Sequence, residues 1–457
     1  MAIMPLPQSM FLLSETRDQP MHVGSLQLFR PPDGSGPEFL RELYEHLLGQ
    51  PEMSSVFSRK PYRSPLTLGQ WAWEQDENLD LEHHVRHSAL PNPGRIRELL
   101  ALVSRLHASL LDRSRPLWEA HLIEGLDDGR YAVYTKMHHA VMDGVSAARL
   151  LERSLTTDPD RRDLPPPWAP SARKKGSSSS GGLLALPREA LGVASDFVGL
   201  GPAVLKRAAE QALHQQMASL PFQAPRTMFN RPITGSRRFA AQSWPIESFK
   251  AVAKASDSTL NDVLLAVCSS ALRRYLLDHD ALPGAPLIAM TPVSLRAEDD
   301  DGDEGGVNVG TILCNLATHL EDPVDRLDTI RESMNAGKHA LDGLTQLQVT
   351  ALSAGVMLPL GTQLFFDPAG WTRPPYNIVI SNVPGPTKPL YYNGARLEGS
   401  YPLSIPHHGQ AVNITVTSYN GSLEFGIVGC RRTVPRLQRL LTYLDDGLQE
   451  LTEAVGA

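Results

Sequence analysis

The sequence has little cysteine: its only three thiols are Cys268, Cys314 and Cys430, an odd number set far apart among 457 residues. Secreted domains that depend on disulfides carry a dense and even set of cysteines. The scarcity therefore argues against a disulfide framework. It favours folding in a reducing compartment, which predicts a cytoplasmic protein.

Long apolar runs and an excess of positive charge are missing too. No uncharged apolar stretch reaches the ~18 residues that a membrane-spanning helix needs, and residues 1–11 lack the basic start of a signal peptide. The net charge is −7 and the pI is near 6.1, so there is no electrostatic footprint for nucleic acid. We expect a soluble protein, with peripheral contact to the inner membrane or to lipid inclusions as an open alternative.

The length predicts two domains, because 457 residues exceed what one ordinary core holds. Apolar strand patterns and helical stripes interleave in both halves, and hairpin signals occur among them, so the predicted class is α/β or α+β. A Pro-rich and Ser/Gly-rich stretch marks a linker. The predicted boundaries are residues 1–155 for the first domain, 156–225 for the linker and 226–457 for the second domain.

The linker also contains an apolar stretch at residues 190–205 with charged residues at both ends. It has two interpretations, a helix lying at a lipid interface or a helix packed on the protein itself. The segment Gly199-Leu200-Gly201-Pro202 would interrupt a long interfacial helix, which favours the packed helix.

Several elements are predicted by local patterns. Helical spacing of apolar residues predicts a helix over residues 95–111, and Ser258-Thr259 would cap another that follows. A buried strand is predicted over residues 131–137. The dipeptides Asp128-Gly129 and Asn420-Gly421 predict hairpin turns.

One motif stands where the strand over residues 131–137 gives way to a helix: His138-His139-Ala140-Val141-Met142-Asp143-Gly144. The junction is typical of caps and tight turns, and loops between rigid elements often carry catalytic groups. Three interpretations compete. The histidines are ordinary structural residues, or they bind zinc together with the aspartate, or one of them is a general base. No other His or Cys has a recognisable ligand spacing with them, and imidazole titrates near neutral pH, so the acid/base hypothesis is favoured.

With these residues in view, the chain resembles the CoA-dependent acyltransferase superfamily with its HHxxxDG motif, and most of all the bacterial wax ester synthase/acyl-CoA:diacylglycerol acyltransferases. Six pieces in the family's order carry the resemblance: Met21-His22-Val23-Gly24, Pro116-Leu117-Trp118-Glu119, His138 to Gly144, Asn261-Asp262, Pro292-Val293-Ser294-Leu295-Arg296 and Ser381-Asn382-Val383-Pro384-Gly385-Pro386.

The resemblance implies two chloramphenicol-acetyltransferase-like domains with mixed sheets and an active-site channel at their interface. It makes His139 the general base that takes the proton of an alcohol as it attacks an acyl-CoA thioester, while His138 shapes the site. Asp143 is implied to be structural and paired with Arg296. Gly144 is expected to let the backbone turn tightly beside the histidines.

Three further residues receive roles from the same resemblance. Asn261 is the candidate donor to the oxyanion of the tetrahedral intermediate, with a capping or turn role as its equal alternative. Ser381 and Asn382 are expected to shape the channel or the approach of CoA. No cofactor is expected, because acyl-CoA is a substrate, and no metal is expected, because the histidines have no partner ligands at a recognisable spacing. No acyl-enzyme is expected either, because the sequence has no G-x-S-x-G nucleophile elbow and no cysteine in a recognisable catalytic signature.

The predicted function is therefore transfer of a long-chain acyl group from acyl-CoA to a fatty alcohol, to diacylglycerol, or to both. Two alternatives stay open: a condensation-type enzyme that forms esters or amides on carrier thioesters, and an inactive binding protein on lipid droplets. Side chains around residues 352–360 are expected to set the channel width. Chain length, alcohol preference and oligomeric state, monomer or homodimer, are left open by the sequence.

Overall fold

The computed structural model describes most of the chain. The described residues are 2–50, 52–64, 67, 69–170, 224–294, 309–342 and 373–457. The interfacial-helix stretch 190–205, Arg296 and the channel-width segment 352–360 lie outside these ranges.

Three sheets contain the described strands. The strands are β1 (Ala2–Ile3), β2 (His22–Arg30), β3 (Arg59–Arg63), β4 (Trp71–Gln75), β5 (Val85–Ala89), β6 (Trp118–Glu124), β7 (Tyr131–His138), β8 (Arg237–Pro245), β9 (Ile288–Ser294), β10 (Val309–Asn315), β11 (Ile378–Val383), β12 (Tyr391–Tyr392), β13 (Ala395–Leu403), β14 (Val412–Tyr419) and β15 (Ser422–Cys430).

Two of these sheets have six strands and mix parallel with antiparallel pairs. The first sheet has the order β12-β13-β2-β7-β6-β5, and the second has the order β10-β9-β11-β14-β15-β8. Parallel pairs are β5 with β6, β9 with β11, and β11 with β14. A small three-stranded sheet has the order β1-β4-β3. The prediction of a mixed α/β architecture is thus confirmed.

Most of the described helices pack against the two large sheets. They are α1 (Leu6–Ser14), α2 (Phe39–Leu48), α3 (Leu81–His84), α4 (Ile96–Ala108), α5 (Gly144–Arg153), α6 (Ile246–Ala255), α7 (Leu260–Leu277), α8 (Pro323–Leu341) and α9 (Arg439–Val455). No helix in the described ranges combines the length and the apolarity that crossing a bilayer requires.

Local sequence signals determine several boundaries. The N-cap of α7 is Thr259, whose side chain accepts from the Asp262 N–H in a reciprocal capping box. The hairpin between β14 and β15 turns at Asn420 and Gly421, both with positive φ, as a type I′ turn demands. Gly129 has a positive φ in the turn between β6 and β7. These three predictions are confirmed.

The division of the chain into segments departs from the predicted boundaries in two ways. Strands β12 and β13 come from the second segment but extend the first sheet, where β13 pairs antiparallel with β2. The start of the predicted linker is packed: Leu164 and Trp168 are buried in the core on one face of the first sheet, and Trp168 stacks on Trp118 at 5.3 Å between centroids. Burial of these large side chains explains why the chain stays on the first sheet beyond residue 155.

A shared core joins the two large sheets through α4. Leu99 and Val103 of α4 pack in one cluster with Leu28 of the first sheet and with Phe239 and Val428 of the second. The Ser104 hydroxyl accepts a hydrogen bond from the Phe239 N–H at 2.9 Å. Packed side chains of both sheets therefore share one core with α4, and the hydrogen bond ties α4 to β8 of the second sheet.

Candidate active site

The two histidines of the motif sit at the end of β7, and their backbone is tied to β2. His138 is the last residue of β7 and is fully buried, whereas His139 is half-buried. The His139 N–H donates to the Met21 carbonyl at 2.8 Å, and the Val141 N–H turns back to the His138 carbonyl at 2.9 Å. These backbone hydrogen bonds hold the two histidines where β7 ends and the loop begins.

An aromatic ring covers His139. The Phe11 ring of α1 stacks on the imidazole with 4.1 Å between centroids and 27° between planes. Burial lowers the pKa of His139 to about 4, opposed by the charge of Asp143 and reinforced by that of His138. The imidazole is therefore neutral at physiological pH and can accept a proton, and Asp143 stabilises the cation that would result.

His138 is held in one tautomer. Its Nδ1 accepts the Ala140 N–H at 3.0 Å, so that nitrogen carries no proton in the neutral ring and the proton must be on Nε2. The Nε2 atom lies 3.4 Å from Glu15 Oε1, within ion-pair distance but outside hydrogen-bond alignment. Both ring nitrogens of His138 thus face protein groups, although only Nδ1 forms a hydrogen bond.

The buried Glu15 and the partly exposed Arg113 form an ion pair that the sequence patterns did not predict. Arg113 donates to Glu15 Oε2 from Nη2 at 2.9 Å and from Nε at 3.2 Å. Glu15 Oε1 also accepts the Met21 N–H at 3.1 Å, and Met21 in turn holds His139. Burial opposes the charge of Glu15, but His138, Met21 and Arg113 together lower its pKa. The only sequence signal was a carboxylate placed directly after an apolar helical run.

Apolar side chains surround this loop. The buried members of the cluster come from the N-terminal segment, the small sheet, the connection between α4 and β6, and the loop itself. They are Met4, Leu12, Trp73, Leu111, Leu117 and Ala140. A neutral base among apolar side chains suits a water-poor reaction with an aliphatic substrate.

Asp143 is the N-cap of α5. Its carboxylate accepts from the Ser146 N–H and hydroxyl, each at 2.9 Å, so the predicted cap is confirmed. The predicted pair with Arg296 stays a prediction. The conformational reason given for Gly144 is wrong, because Gly144 is an ordinary first helical residue without positive φ, and a Cβ there would meet only Val23 Cγ1 at 3.9 Å.

The Pro-Leu-Trp-Glu motif contributes to the core beside β7. Trp118 is buried and donates to the Phe57 carbonyl at 2.8 Å. Glu119 contacts Lys136 at 3.2 Å and His121 at 3.3 Å, and all three side chains are buried. Burial opposes the charge of Glu119, but His121, Lys136 and Arg86 lower its pKa to about 2. The ionised Glu119 carboxylate thus balances the positive charge of the buried Lys136, which lies on β7 of the first sheet.

The remaining candidate residues lie in the second half. Asn261 is in the first turn of α7, where Thr259 and Asp262 do the capping. This argues against the capping alternative, and the half-buried Asn261 amide has no hydrogen bond among the described residues. Ser381 and Asn382 are half-buried on β11, opposite Thr415 and Val416 of β14. The roles predicted for these residues stay predictions.

Within the described ranges, no three His, Cys, Asp or Glu side chains gather in a geometry suited to a metal ion. His139 contacts the Phe11 ring and the Met21 carbonyl, and His138 contacts the Ala140 N–H and the Glu15 carboxylate.

Family models match most of the chain. Residues 4–264 match the wax ester synthase/diacylglycerol acyltransferase catalytic domain, and residues 305–452 match the WS/DGAT C-terminal domain. A Mycobacterium tuberculosis protein named "Probable diacyglycerol O-acyltransferase" is 52% identical over the full length of both chains.

Solved structures agree with the fold. The wax ester synthase/diacylglycerol acyltransferase from Marinobacter aquaeolei VT8 is 42% identical, with a TM-score of 0.81 and complete coverage of both chains. The first condensation domain of the CDA synthetase is 16% identical, with a TM-score of 0.60 over 99% of this chain and 96% of that one, and it supports the fold alone. The chain belongs to the wax ester synthase/diacylglycerol acyltransferase family of acyltransferases.

Proposed function

We propose that this acyltransferase moves a long-chain acyl group from acyl-CoA to the hydroxyl of a fatty alcohol or of diacylglycerol. The observation that carries the proposal is the position of the His139 ring, which stacks under Phe11 beside an apolar cluster. Burial there lowers the pKa of His139, which favours the neutral imidazole that a general base needs. The names of the relatives support the two product classes, wax ester and triacylglycerol.

The proposed reaction is a direct transfer. His139 takes the hydroxyl proton while the alcohol oxygen forms a bond to the thioester carbonyl carbon. The tetrahedral intermediate then collapses, the carbon–sulfur bond breaks, and the CoA sulfur leaves with the proton that His139 returns. The products are an ester and CoA thiol, and the protein ends in its starting protonation state. No acyl-enzyme is part of this scheme.

Two other residues are proposed to stabilise the charges that arise. The positive charge on His139 is adjacent to the Asp143 carboxylate, which already raises the imidazole pKa against the effect of burial. The oxyanion is proposed to meet the Asn261 amide, which has no internal hydrogen bond among the described residues and lies at a helix N-terminus, where negative charge is favoured. Ser381 and Asn382 remain proposed contacts of the substrate channel.

The test is the release of CoA thiol from palmitoyl-CoA in the presence of hexadecanol or dipalmitoylglycerol. We expect thiol release and ester formation with the wild-type protein, and loss of both by at least about 100-fold in His139→Ala, the lower end of what a general base contributes. If the wild-type protein releases no thiol in the presence of either acceptor, the proposal is rejected and the binding-protein alternative is favoured.

We also propose that α1 rests on a lipid surface while it covers the site. Its Met10 and Leu13 side chains, three residues apart on one face, are 36% and 49% exposed, and Ile3 before it is 66% exposed. Large apolar side chains gathered next to a site for lipid substrates fit a surface that contacts lipid.

Flotation with phospholipid vesicles tests this contact. The double variant Met10→Ser/Leu13→Ser is expected to bind vesicles several-fold less than the wild-type protein does. The control Leu277→Ser, which removes an equally exposed leucine at the end of α7, is expected to bind as the wild-type protein does. Equal binding by all three proteins would refute the contact.

A further inference from the structure

A pocket of about 480 Å³ lies at the corner of the second sheet, where β15 ends and β8 begins. Two arginines, Arg231 and Arg432, are among the residues that line it. Both residues are exposed, and neither side chain has a hydrogen bond or an ion pair among the described residues. These two cations are therefore available to a ligand.

The rest of the lining is apolar or fixed. Met228, Pro232 and Pro435 supply apolar surface. The other two lining residues are held by the buried sulfur of Cys430: the Thr433 hydroxyl donates to Sγ at 3.3 Å and the Thr234 N–H donates to it at 3.4 Å. The pocket thus combines a rigid wall, an apolar surface and a cationic rim.

Positive charge is concentrated at this corner, although the whole chain has a net charge of −7. Burial lowers the pKa of Arg238, and the charges of Arg431 and Arg97 lower it further. One acidic residue, Asp18, lies among these arginines: its Oδ1 accepts the Gly235 N–H at 2.8 Å, and its charge partly opposes the burial that lowers the pKa of Arg237. Cations this crowded favour an anionic ligand.

The pocket is connected to the histidine loop by one short segment. Arg237, at the start of β8, donates to the Asp18 carbonyl at 2.9 Å. Three residues later, the Met21 carbonyl accepts the N–H of His139. The segment from Asp18 to Met21 therefore touches the pocket's strand at one end and the catalytic loop at the other.

We propose that this pocket binds a phosphate-bearing group that also carries an apolar portion, with Arg231 and Arg432 on the phosphates and Met228, Pro232 and Pro435 against the apolar portion. Two sources share this chemistry, the 3′-phospho-ADP part of acyl-CoA and the headgroup region of an anionic phospholipid. Guanidinium groups suit phosphate oxygens because their donors match them in pairs. The CoA source rests on the proposed function.

The experiment uses the full chain and two probes, adenosine 3′,5′-bisphosphate by calorimetry and phosphatidylglycerol vesicles by flotation. The pocket variant is Arg231→Gln/Arg432→Gln. The matched control is Arg161→Gln/Arg396→Gln, which removes two exposed arginines away from the pocket and the same total charge. Each lost charge-assisted bond is expected to weaken binding by about tenfold or more. These measurements need no turnover, so they stay informative if the proposed reaction is wrong.

Binding of the nucleotide probe that is lost in the pocket variant and kept in the control supports the pocket and assigns it to CoA. The KM for palmitoyl-CoA should then rise in that variant, with kcat and the KM for hexadecanol unchanged. Vesicle binding lost only in the pocket variant supports the pocket and assigns it to a phospholipid headgroup. Binding of neither probe, or equal losses in both variants, overturns the proposal.

Discussion

The two adjacent histidines differ in what their rings contact. Both nitrogens of His138 face protein groups, the Ala140 N–H and the Glu15 carboxylate. The His139 ring instead stacks on Phe11, and only its backbone is tied to Met21. This difference agrees with the roles that the family resemblance implies, a structural His138 and a proton-accepting His139, and those roles stay proposals.

The pH dependence of catalysis is predicted from His139. Because burial lowers its pKa to about 4, the base is neutral above that pH and becomes protonated as the pH falls through it. We expect kcat/KM for palmitoyl-CoA to stay level from pH 8 to about 5 and to fall on a limb centred near 4. Circular dichroism at each pH separates this limb from unfolding. A limb centred at 6.5 or higher would contradict the predicted environment.

The Glu15–Arg113 pair is predicted to hold the histidine loop in place. Glu15 is buried but the Arg113 side chain is 36% exposed, so Glu15→Gln should cost about 1 to 3 kcal/mol of unfolding free energy, less than the roughly 3 to 5 typical of breaking a fully buried pair. The exposed pair of Arg41 with Glu38 provides the control Glu38→Gln, which should cost about 0.5 kcal/mol or less. Denaturant titration measures both, and equal values would refute the role.

At the scale of elements, α5 depends on Asp143 for its start. Asp143→Asn keeps an amide oxygen that can cap, whereas Asp143→Ala removes the cap at a cost of about 0.5 to 2 kcal/mol. Both variants remove the charge that raises the pKa of His139. We therefore expect both to lose activity but only the alanine variant to lose stability. Full activity in the asparagine variant would show that the charge is not needed.

Elements encoded by neighbouring residues were predictable from the sequence. The cap at Thr259 and the turn at Asn420 and Gly421 depend on local backbone chemistry, and both occur as expected. The addition of β13 to the first sheet, by contrast, pairs residues more than 360 positions apart, and no local pattern specifies such a partner.

The same reasoning explains which parts of the site were predictable. The histidine pair and Asp143 are a contiguous motif, so the sequence alone brought them together. Phe11 and Glu15 reach the loop only through tertiary packing of α1, and Glu15 finds Arg113 98 positions away. For Gly144 the motif was noticed but its role was wrongly explained. A tight backbone turn was expected there, whereas Gly144 has no positive φ.

At the scale of the whole molecule, buried neutral histidines should make the fold sensitive to acid. Burial lowers the pKa of His107 to about 3 and of His407 to about 4, and that of His22 well below the ordinary value. These histidines bind protons near pH 6.5 in the unfolded chain but stay neutral at that pH in the folded chain. The free energy of unfolding therefore falls as the pH drops from 6.5 towards 4, by up to about 1.4 kcal/mol per pH unit for each histidine.

One buried carboxyl acts in the opposite sense. Burial raises the pKa of Glu424 to about 7, so its contribution to stability is lost as the pH rises from 4.5 to 7. Because the histidines outnumber it, we expect the denaturation midpoint in urea to be lower at pH 5 than at pH 7. An equal or higher midpoint at pH 5 would contradict the burial of these histidines as neutral rings.

The most direct test of the account compares thiol release from palmitoyl-CoA and hexadecanol in the wild-type protein, in His139→Gln and in His339→Gln. His339 is an exposed residue of α8 and controls for the loss of one histidine. The account predicts wild-type rates in His339→Gln and a loss of about 100-fold or more in folded His139→Gln. Ester formation by folded His139→Gln within tenfold of the wild-type rate would contradict it.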